Sequence, residues 1–250
     1  MILTAHQPVY LPWLGLFHKI ALSDMFCIFD DVQYLKKDWN NRNRIKTSSG
    51  AVWLTVPVLT SGHREKSIRE IEINNATAWR KKHWKTMLLA YKKAPYFSKY
   101  ADFFEDLYMR EWDNLVKLND HILLYLLGVL GINVEIRRAS DEKFEGTKSS
   151  LVLDMCKKLD ADVYIFGALG KDYAEVDRFE QGGIYAYFQD YVHPEYAQLH
   201  GKFTPYMSVI DLLFNCGESS LDILMSRNIG RQGVEKALLK TKPEQGGVRG

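Results

Sequence analysis

The stretches Met25–Phe29 (MFCIF) and Val163–Phe166 (VYIF) are apolar at every position. Strands that are apolar on both faces are typical of a parallel sheet covered by helices on its two sides. Other apolar stretches extend this sheet along the chain. The predicted strands are Met1–Thr4, Asp24–Phe29, Val52–Val58, Ile68–Ile73, Asn133–Ile136, Val163–Phe166 and Ile184–Phe188.

Helical patterns lie between these strands, and strand and helix alternate at both ends of the chain. This order predicts an α/β fold with a doubly wound, mostly parallel sheet. Three helical patterns follow one another in the middle third, which predicts a helical insertion over about residues 76–131 that ends at Gly131. The predicted helices are Trp13–Leu22, Ala76–Tyr91, Tyr96–Tyr108, Asp113–Leu130, Thr147–Leu159 and Met207–Cys216.

The length of 250 residues suits one hydrophobic core, which grows economically up to roughly 250–300 residues. We therefore expect a single α/β domain over residues 1–228 that carries the insertion. Residues 229–250 contain no aromatic residue and five glycines. We expect this segment to be a flexible tail with at most a short helix at Val234–Leu239.

Composition and charge limit the possible function classes. The chain has 33 Lys and Arg against 31 Asp and Glu, a net charge of +2, which argues against a dedicated nucleic-acid binder. Cys27, Cys156 and Cys216 lie far apart without metal-ligand spacing, so we expect no disulfide, no metal site and a cytoplasmic location. The first residues lack a basic region and no run of roughly 18 apolar residues occurs, so we expect neither a signal peptide nor a membrane span.

The loop after the first strand is the first candidate for chemistry. Doubly wound folds bind ligands at the carboxyl ends of their strands, and Pro8 and Pro12 stiffen this loop. Its only residue with a pKa suited to general base catalysis at neutral pH is His6. The alternative is that His6 caps the strand end through a hydrogen bond to the backbone.

A second candidate is the basic segment Lys36–Lys46. In an extended chain Arg42, Arg44 and Lys46 fall on one face, and paired guanidinium groups suit phosphate or carboxylate. The alternative is a solvated charged loop. Upstream, Asp30 and Asp31 point to opposite sides of an extended chain, so only one of them faces the crevice, and turn formation is the alternative role.

The third candidate lies near the end of the predicted domain, where Ser208, Asp211 and Asn215 share one helical face. Their alternative role is helix capping, because Ser-x-x-Asp before an apolar run resembles a capping box and Gly217 follows the helix. The turn Gly167–Tyr173 follows a buried strand and lacks the spacing of a phosphate-binding loop.

These residues together resemble the WbqC-like protein family over about residues 2–220. The opening motif His6-Gln7-Pro8-x-Tyr10-Leu11-Pro12-Trp13-x-Gly15 is long and specific. Leu16 and Met207 depart from the residue types common in the family without affecting a polar role. The remaining matching residues are Lys19, Asp24, Asp30–Tyr34, Asn41–Ile45, Tyr196, Gln198, Phe203, Pro205, Ser208, Asp211–Asn215 and Gly217.

The resemblance implies an N-acyl or aminoacyl transferase that acts on the amine of a nucleotide-linked amino sugar in O-antigen and other surface polysaccharides. It implies no tightly bound cofactor; the acyl donor would be a carrier-protein or coenzyme A thioester, or an adenylate. His6 would be the general base, and Asp211 would orient it or bind the amine. The substrate-binding candidates are Gln7, Tyr10, Trp13, Lys19, Asp31, Asn41, Arg42, Asn43, Arg44, Tyr173, Gln198 and Ser208; Trp39 is a further stacking candidate.

Two other functions remain open from the sequence. His6 and His18 together are faintly similar to the paired histidines of adenylate-forming or nucleotidyl-transferring α/β enzymes, for which ATP-dependent release of pyrophosphate would be diagnostic. A non-catalytic module that binds a sugar nucleotide or a carrier protein would instead bind tightly without turnover.

Overall fold

A five-stranded parallel sheet forms the centre of the protein in a computed structural model that describes residues 1–62 and 65–241. The strand order is β5-β2-β1-β6-β7, with every neighbouring pair parallel. A separate antiparallel hairpin is formed by β3 and β4. The strands are β1 (Ile2–His6), β2 (Met25–Ile28), β3 (Arg42–Thr47), β4 (Gly50–Thr55), β5 (Glu135–Arg138), β6 (Val163–Phe166) and β7 (Tyr185–Phe188).

The two uniformly apolar stretches form central strands, as predicted, because helices cover both faces of the sheet. In β2, Phe26 and Ile28 face one hydrophobic cluster while Met25 and Cys27 face another. All residues of β2 and β6 are buried. The structure thus confirms the α/β fold with a mostly parallel, doubly wound sheet.

Ten α-helices accompany the strands in the described part of the chain. The predicted insertion corresponds to three consecutive helices, the last of which is capped by Asn114 and ends at Gly131 in the left-handed conformation with a φ of 71°. The helices are α1 (Leu14–Ala21), α2 (Trp79–Tyr91), α3 (Phe97–Met109), α4 (Leu115–Leu130), α5 (Ala139–Glu142), α6 (Ser149–Lys158), α7 (Val176–Gln181), α8 (Val209–Cys216), α9 (Ser220–Met225) and α10 (Arg231–Thr241).

Two predicted strands do not belong to the parallel sheet. The stretch predicted at Val52–Val58 forms β4, whose partner is the basic strand β3. The stretch predicted at Ile68–Ile73 begins as a 3₁₀ turn, Ile68–Glu70. Ser67 and Glu70 form a capping box there, and this local polar signal outweighs the β-branched residues.

The C-terminal segment was predicted to fray, and the structure corrects this prediction over residues 231–241. Helix α10 is longer than the expected Val234–Leu239, and Val234 is fully buried in a cluster with Ile2 of β1 and Val163 of β6. Arg231 also forms an ion pair with Asp24, at 2.5 Å. Residues 242–250 lie outside the described residues. Within the described ranges, the helices are all too short or too polar to cross a membrane.

Candidate functional site

The order in which strands are added to the sheet reverses at β1, and the carboxyl end of this strand marks the switch point. From β1 the chain builds β2 and β5 on one side and then returns to build β6 and β7 on the other. Ligands of doubly wound folds bind at such a point. His6, the last residue of β1, therefore lies where the fold leaves a crevice.

The His6 imidazole is oriented by its own loop. Its Nδ1 lies 2.8 Å from the carbonyl oxygen of Gln7, so Nδ1 carries the proton and donates it. In the described part of the chain Nε2 has no hydrogen-bond partner and is available as an acceptor. Burial, and secondarily the charge of Lys19, lowers the pKa of His6 to about 4. The imidazole is therefore neutral at pH 7 and presents a lone pair.

Lys19 reaches the same strand end from α1. Its side chain is buried, and its Nζ donates to the carbonyl oxygen of Ala5 at 2.9 Å. Burial lowers the pKa of Lys19 to about 7, since no carboxylate compensates its charge within the described ranges. The structure thus brings together the predicted residues His6, Gln7 and Lys19.

A narrow cavity lies beside His6, and two of the residues that line it, Asn119 and Asp120, were not predicted from the sequence. Gln7, Asn119 and Asp120 line it together with His6. The side-chain amide of Asn40 donates to Gln7 Oε1 at 3.2 Å, and that of Asn119 donates to the Asn40 carbonyl at 2.8 Å. Asn119 and Asp120 come from α4 in the insertion. No local motif marks them; only the tertiary fold brings them to His6.

The arginines of the predicted anion site lie on the hairpin of β3 and β4. Arg42 and Arg44 lie on one face, with their guanidinium carbons 4.4 Å and 5.5 Å from the centre of the Trp53 ring. Among residues 1–62 and 65–241 neither guanidinium has a carboxylate partner. The Nε atoms of both arginines are buried and have no hydrogen-bond partner there. The ring of Trp39 lies 5.3 Å from that of Trp53, and both tryptophans are exposed. Lys46, expected on this face, instead turns inward and donates to Lys202 O at 2.6 Å.

Three predicted binding residues have structural roles instead. Asn41 donates to Val56 O at 2.7 Å, and Asn43 donates to Leu11 O at 2.6 Å, so these amides hold the hairpin and the first loop. Tyr10 is fully buried, and its hydroxyl lies 2.5 Å from that of Tyr108. It has no free face on which a sugar or base can stack, which corrects that prediction.

Asp211 does not orient His6. Its buried carboxylate accepts hydrogen bonds from Tyr91 at 2.7 Å, Tyr196 at 2.9 Å and Gln198 at 2.7 Å. The Gln7 carbonyl performs the orienting role instead. Gln198 is likewise held inside this network, and Ser208 is the N-cap of α8, as its alternative role predicted.

The remaining predicted residues lie around the crevice or away from it. Trp13 is partly buried and packs edge-on against Tyr191, while Tyr173 is exposed after β6. Asp31 forms an exposed ion pair with Arg69 at 3.3 Å.

Two neighbouring residues also have roles within the fold. Asp30 is buried and accepts from both Ser140 N and Ser140 Oγ. His18 has both ring nitrogens engaged, Nε2 with Ile229 O and Nδ1 with the Gln189 amide, so it does not pair with His6.

A broader, shallow groove lies at the opposite end of the sheet. It is lined by Asp24 and Glu135, which stand at the amino ends of β2 and β5, and by Arg231. Arg231 is already paired with Asp24. Because ligands of this fold bind at the carboxyl ends, the cavity at His6 is the better candidate site.

Comparisons with known proteins give one family and one relative. The WbqC-like protein family matches residues 7–223. A protein of Mycobacterium tuberculosis (strain ATCC 25618 / H37Rv), named "Uncharacterized protein Rv1507c", is 38% identical over 220 residues, which cover 87% of this chain and 95% of the relative. No solved structure matches the chain.

Proposed function

The chain belongs to the WbqC-like protein family, and from this premise we propose that it is an N-acyl or aminoacyl transferase. Its acceptor is the amine of a nucleotide-linked amino sugar destined for bacterial surface polysaccharide such as O-antigen. The observation that carries the proposal is the neutral His6 imidazole, fixed through Nδ1 and free at Nε2, at the carboxyl end of β1. That arrangement provides the unprotonated nitrogen that a general base needs.

The reaction needs a proton acceptor and a donor to the carbonyl oxygen. As the amine attacks a thioester carbonyl, the C–N bond forms and His6 Nε2 takes a proton from nitrogen. The tetrahedral intermediate then breaks its C–S bond, and the thiolate leaves as a thiol when it receives the proton from His6. Gln7 is placed to stabilise the oxyanion, since Asn40 fixes its Oε1 and leaves its Nε2 as a donor.

The hairpin supplies the nucleotide half of the proposed site. A diphosphate carries the charge that guanidinium groups attract, and Arg42 and Arg44, which have no carboxylate partner in the described part of the chain, lie on the same face of β3. Trp39 and Trp53 offer exposed ring faces for a base or sugar. The backbone joins the two regions, because Asn40 contacts Gln7 and directly follows Trp39.

The test is a transfer assay without added ATP. The purified protein is incubated with acetyl- or glycyl-thioesters of coenzyme A or of a carrier protein, and with UDP-linked amino sugars. Mass spectrometry of the sugar nucleotide is expected to show the mass of one acyl group, with release of one thiol. N-acetylated acceptors, which lack a free amine, are expected to gain nothing.

The two alternative functions give different results in the same assay. Product that forms only with ATP and with release of pyrophosphate would indicate a ligase, which the engaged ring nitrogens of His18 disfavour. Tight binding of the sugar nucleotide without turnover of any donor would indicate a binding module. Either result would overturn the proposed transfer.

A further inference from the structure

The cavity beside His6 presents hydrogen-bond acceptors that the protein itself leaves unused. Asn119 is 1% exposed and lines the cavity, and its Oδ1 has no hydrogen-bond partner. The His6 ring, whose Nε2 is unpaired within the described ranges, lines it as well. A buried acceptor without a donor is costly, so Asn119 Oδ1 indicates a donor supplied by a ligand.

The orientation of the Asn119 amide is fixed by its neighbour. Its Nδ2 donates to the backbone carbonyl of Asn40 at 2.8 Å, and a carbonyl only accepts. A flipped amide would place oxygen against oxygen. The unpaired atom is therefore Oδ1.

The cavity wall also carries the carboxylate of Asp120. Asp120 and Asp30 share one guanidinium, that of Arg138, with contacts of 2.5 Å and 3.5 Å. Because two carboxylates share this one cation, Asp120 keeps the capacity to accept further hydrogen bonds. Asp120 lines the cavity, whereas Asp30 does not and is engaged by Ser140.

The size of the cavity and the acceptors in its wall together indicate which ligand group fits. The enclosed space has room for about one water-sized group. A group of that size with several donors and a positive charge matches the acceptors Asn119 Oδ1 and Asp120. We propose that this cavity is a recognition subsite for a primary ammonium group, with Asn119 and Asp120 as its specificity-determining residues.

This inference rests on the proposed function and deepens it. The subsite would bind the acceptor amine of the sugar as an ammonium ion beside His6; this ion would release one proton to solvent before the free amine attacks, and His6 would take the next proton as the C–N bond forms. Residues of α4 would then select an amino sugar over a sugar that has a hydroxyl at the same carbon, because a hydroxyl offers one donor and no charge.

The test is a binding measurement that needs no acyl donor. Methylammonium chloride is titrated into the isotopically labelled protein at constant ionic strength, and the Asn119 side-chain amide and the His6 imidazole are followed by NMR. Saturable shifts at both residues are expected. Methanol, which lacks the charge, and tetramethylammonium, which lacks N–H donors and is too large, are expected to give none.

A matched pair of variants tests the role of Asp120. Asp120→Asn is expected to weaken methylammonium binding by about tenfold or more, because a charged hydrogen bond is lost. Asp106→Asn removes an exposed carboxylate that pairs with Arg110 at 2.6 Å outside the cavity wall, and it is expected to bind within about twofold of the wild type. If Asp120→Asn fails to fold, the three probes on the wild-type protein still decide the question.

Two results would overturn the inference: methylammonium shifts no larger than those of methanol, or equal binding by wild type and Asp120→Asn. Failure of the proposed function looks different. In that case methylammonium binds at Asn119 and His6, yet no acyl group is transferred to any amino sugar. Transfer without methylammonium binding at this cavity would refute the subsite and leave the transferase intact.

Discussion

At the residue scale, the chemistry depends on how His6 is held. A histidine whose Nδ1 proton points at a carbonyl oxygen keeps Nε2 free, and here that carbonyl belongs to the next residue, Gln7. The orientation therefore requires no distant partner. The motif residues Pro8 and Pro12 restrict the loop that makes this possible.

The buried histidine His83 contributes to the change of protein stability with pH. Burial lowers the pKa of His83 to about 4, and its Nδ1 accepts from the Tyr10 hydroxyl at 3.0 Å. The unfolded chain, with a histidine pKa near 6.5, binds a proton in the window from about pH 6.5 to 4 that the folded protein does not. Stability therefore rises with pH across this window, and it is lost as the pH falls from 6.5 towards 4.

We predict that His83→Gln reduces the slope of unfolding free energy against pH by up to about 1.4 kcal/mol per pH unit in that window. Urea unfolding at a series of pH values measures it. His6 contributes in the same direction, so some slope remains. Equal slopes for the variant and the wild type would show that His83 is not neutral in the native state.

Two helix glycines with different surroundings give opposite predictions. A Cβ at Gly15 would overlap the Trp13 indole, which is packed against Tyr191, whereas Gly128 in α4 has no atom within 4 Å of such a Cβ. Gly15→Ala is expected to destabilise by about 1–3 kcal/mol through overpacking. Gly128→Ala is expected to be neutral or to stabilise by up to about 1 kcal/mol. Chemical denaturation compares them, and a neutral Gly15→Ala would contradict the packing described.

At the element scale, the hairpin of β3 and β4 is separate from the parallel sheet, and it carries the positive charges of Arg42 and Arg44. Its inward residues Asn43 and Ile45 are buried, and its outward arginines meet Trp53 on the paired strand. The alternation of β3 was readable from the sequence. Trp53 was not, because cross-strand pairing depends on a register that only the folded hairpin fixes.

We predict that Arg44→Gln weakens binding of inorganic pyrophosphate by about tenfold, since one charge-assisted contact is lost. The matched control is Arg178→Gln on α7, an exposed arginine already paired with Glu175 at 2.6 Å. Calorimetry at low and at physiological ionic strength measures both. Equal losses of pyrophosphate affinity in the two variants would show that the effect comes from net charge and not from a contact with Arg44.

Val234 is the fully buried apolar residue in the described part of helix α10, and Leu238 packs partly buried against the same cluster. Val234 is fully buried, whereas Leu239 is 67% exposed. Val234→Ala is expected to destabilise by roughly 2 kcal/mol, for two buried methyl groups and the cavity that they leave. Leu239→Ala is expected to change stability by less than about 0.5 kcal/mol. Equal urea midpoints for the two variants would mean that α10 does not pack as described.

At the scale of the whole molecule, the periodic and uniformly apolar stretches predicted the parallel sheet and the helical insertion. The loop at His6 was also predictable, because its residues are contiguous in sequence. The wall formed by Asn119 and Asp120 was not, since it comes from α4 and reaches β1 only after the insertion packs. Asp211 failed as a partner of His6 for the same reason: a buried carboxylate is used by whichever donors the fold brings near.

If His6 is the base of the proposed acyl transfer, its removal slows the reaction, and the transfer rate of His6→Ala measures this. A loss of about 10²- to 10⁴-fold in kcat is expected. His121→Gln is the control, because His121 stacks on Phe103, contacts Trp112 and does not itself line the cavity. Its rate is expected to stay within about twofold of the wild type. An undiminished rate for His6→Ala would show that His6 is not the general base.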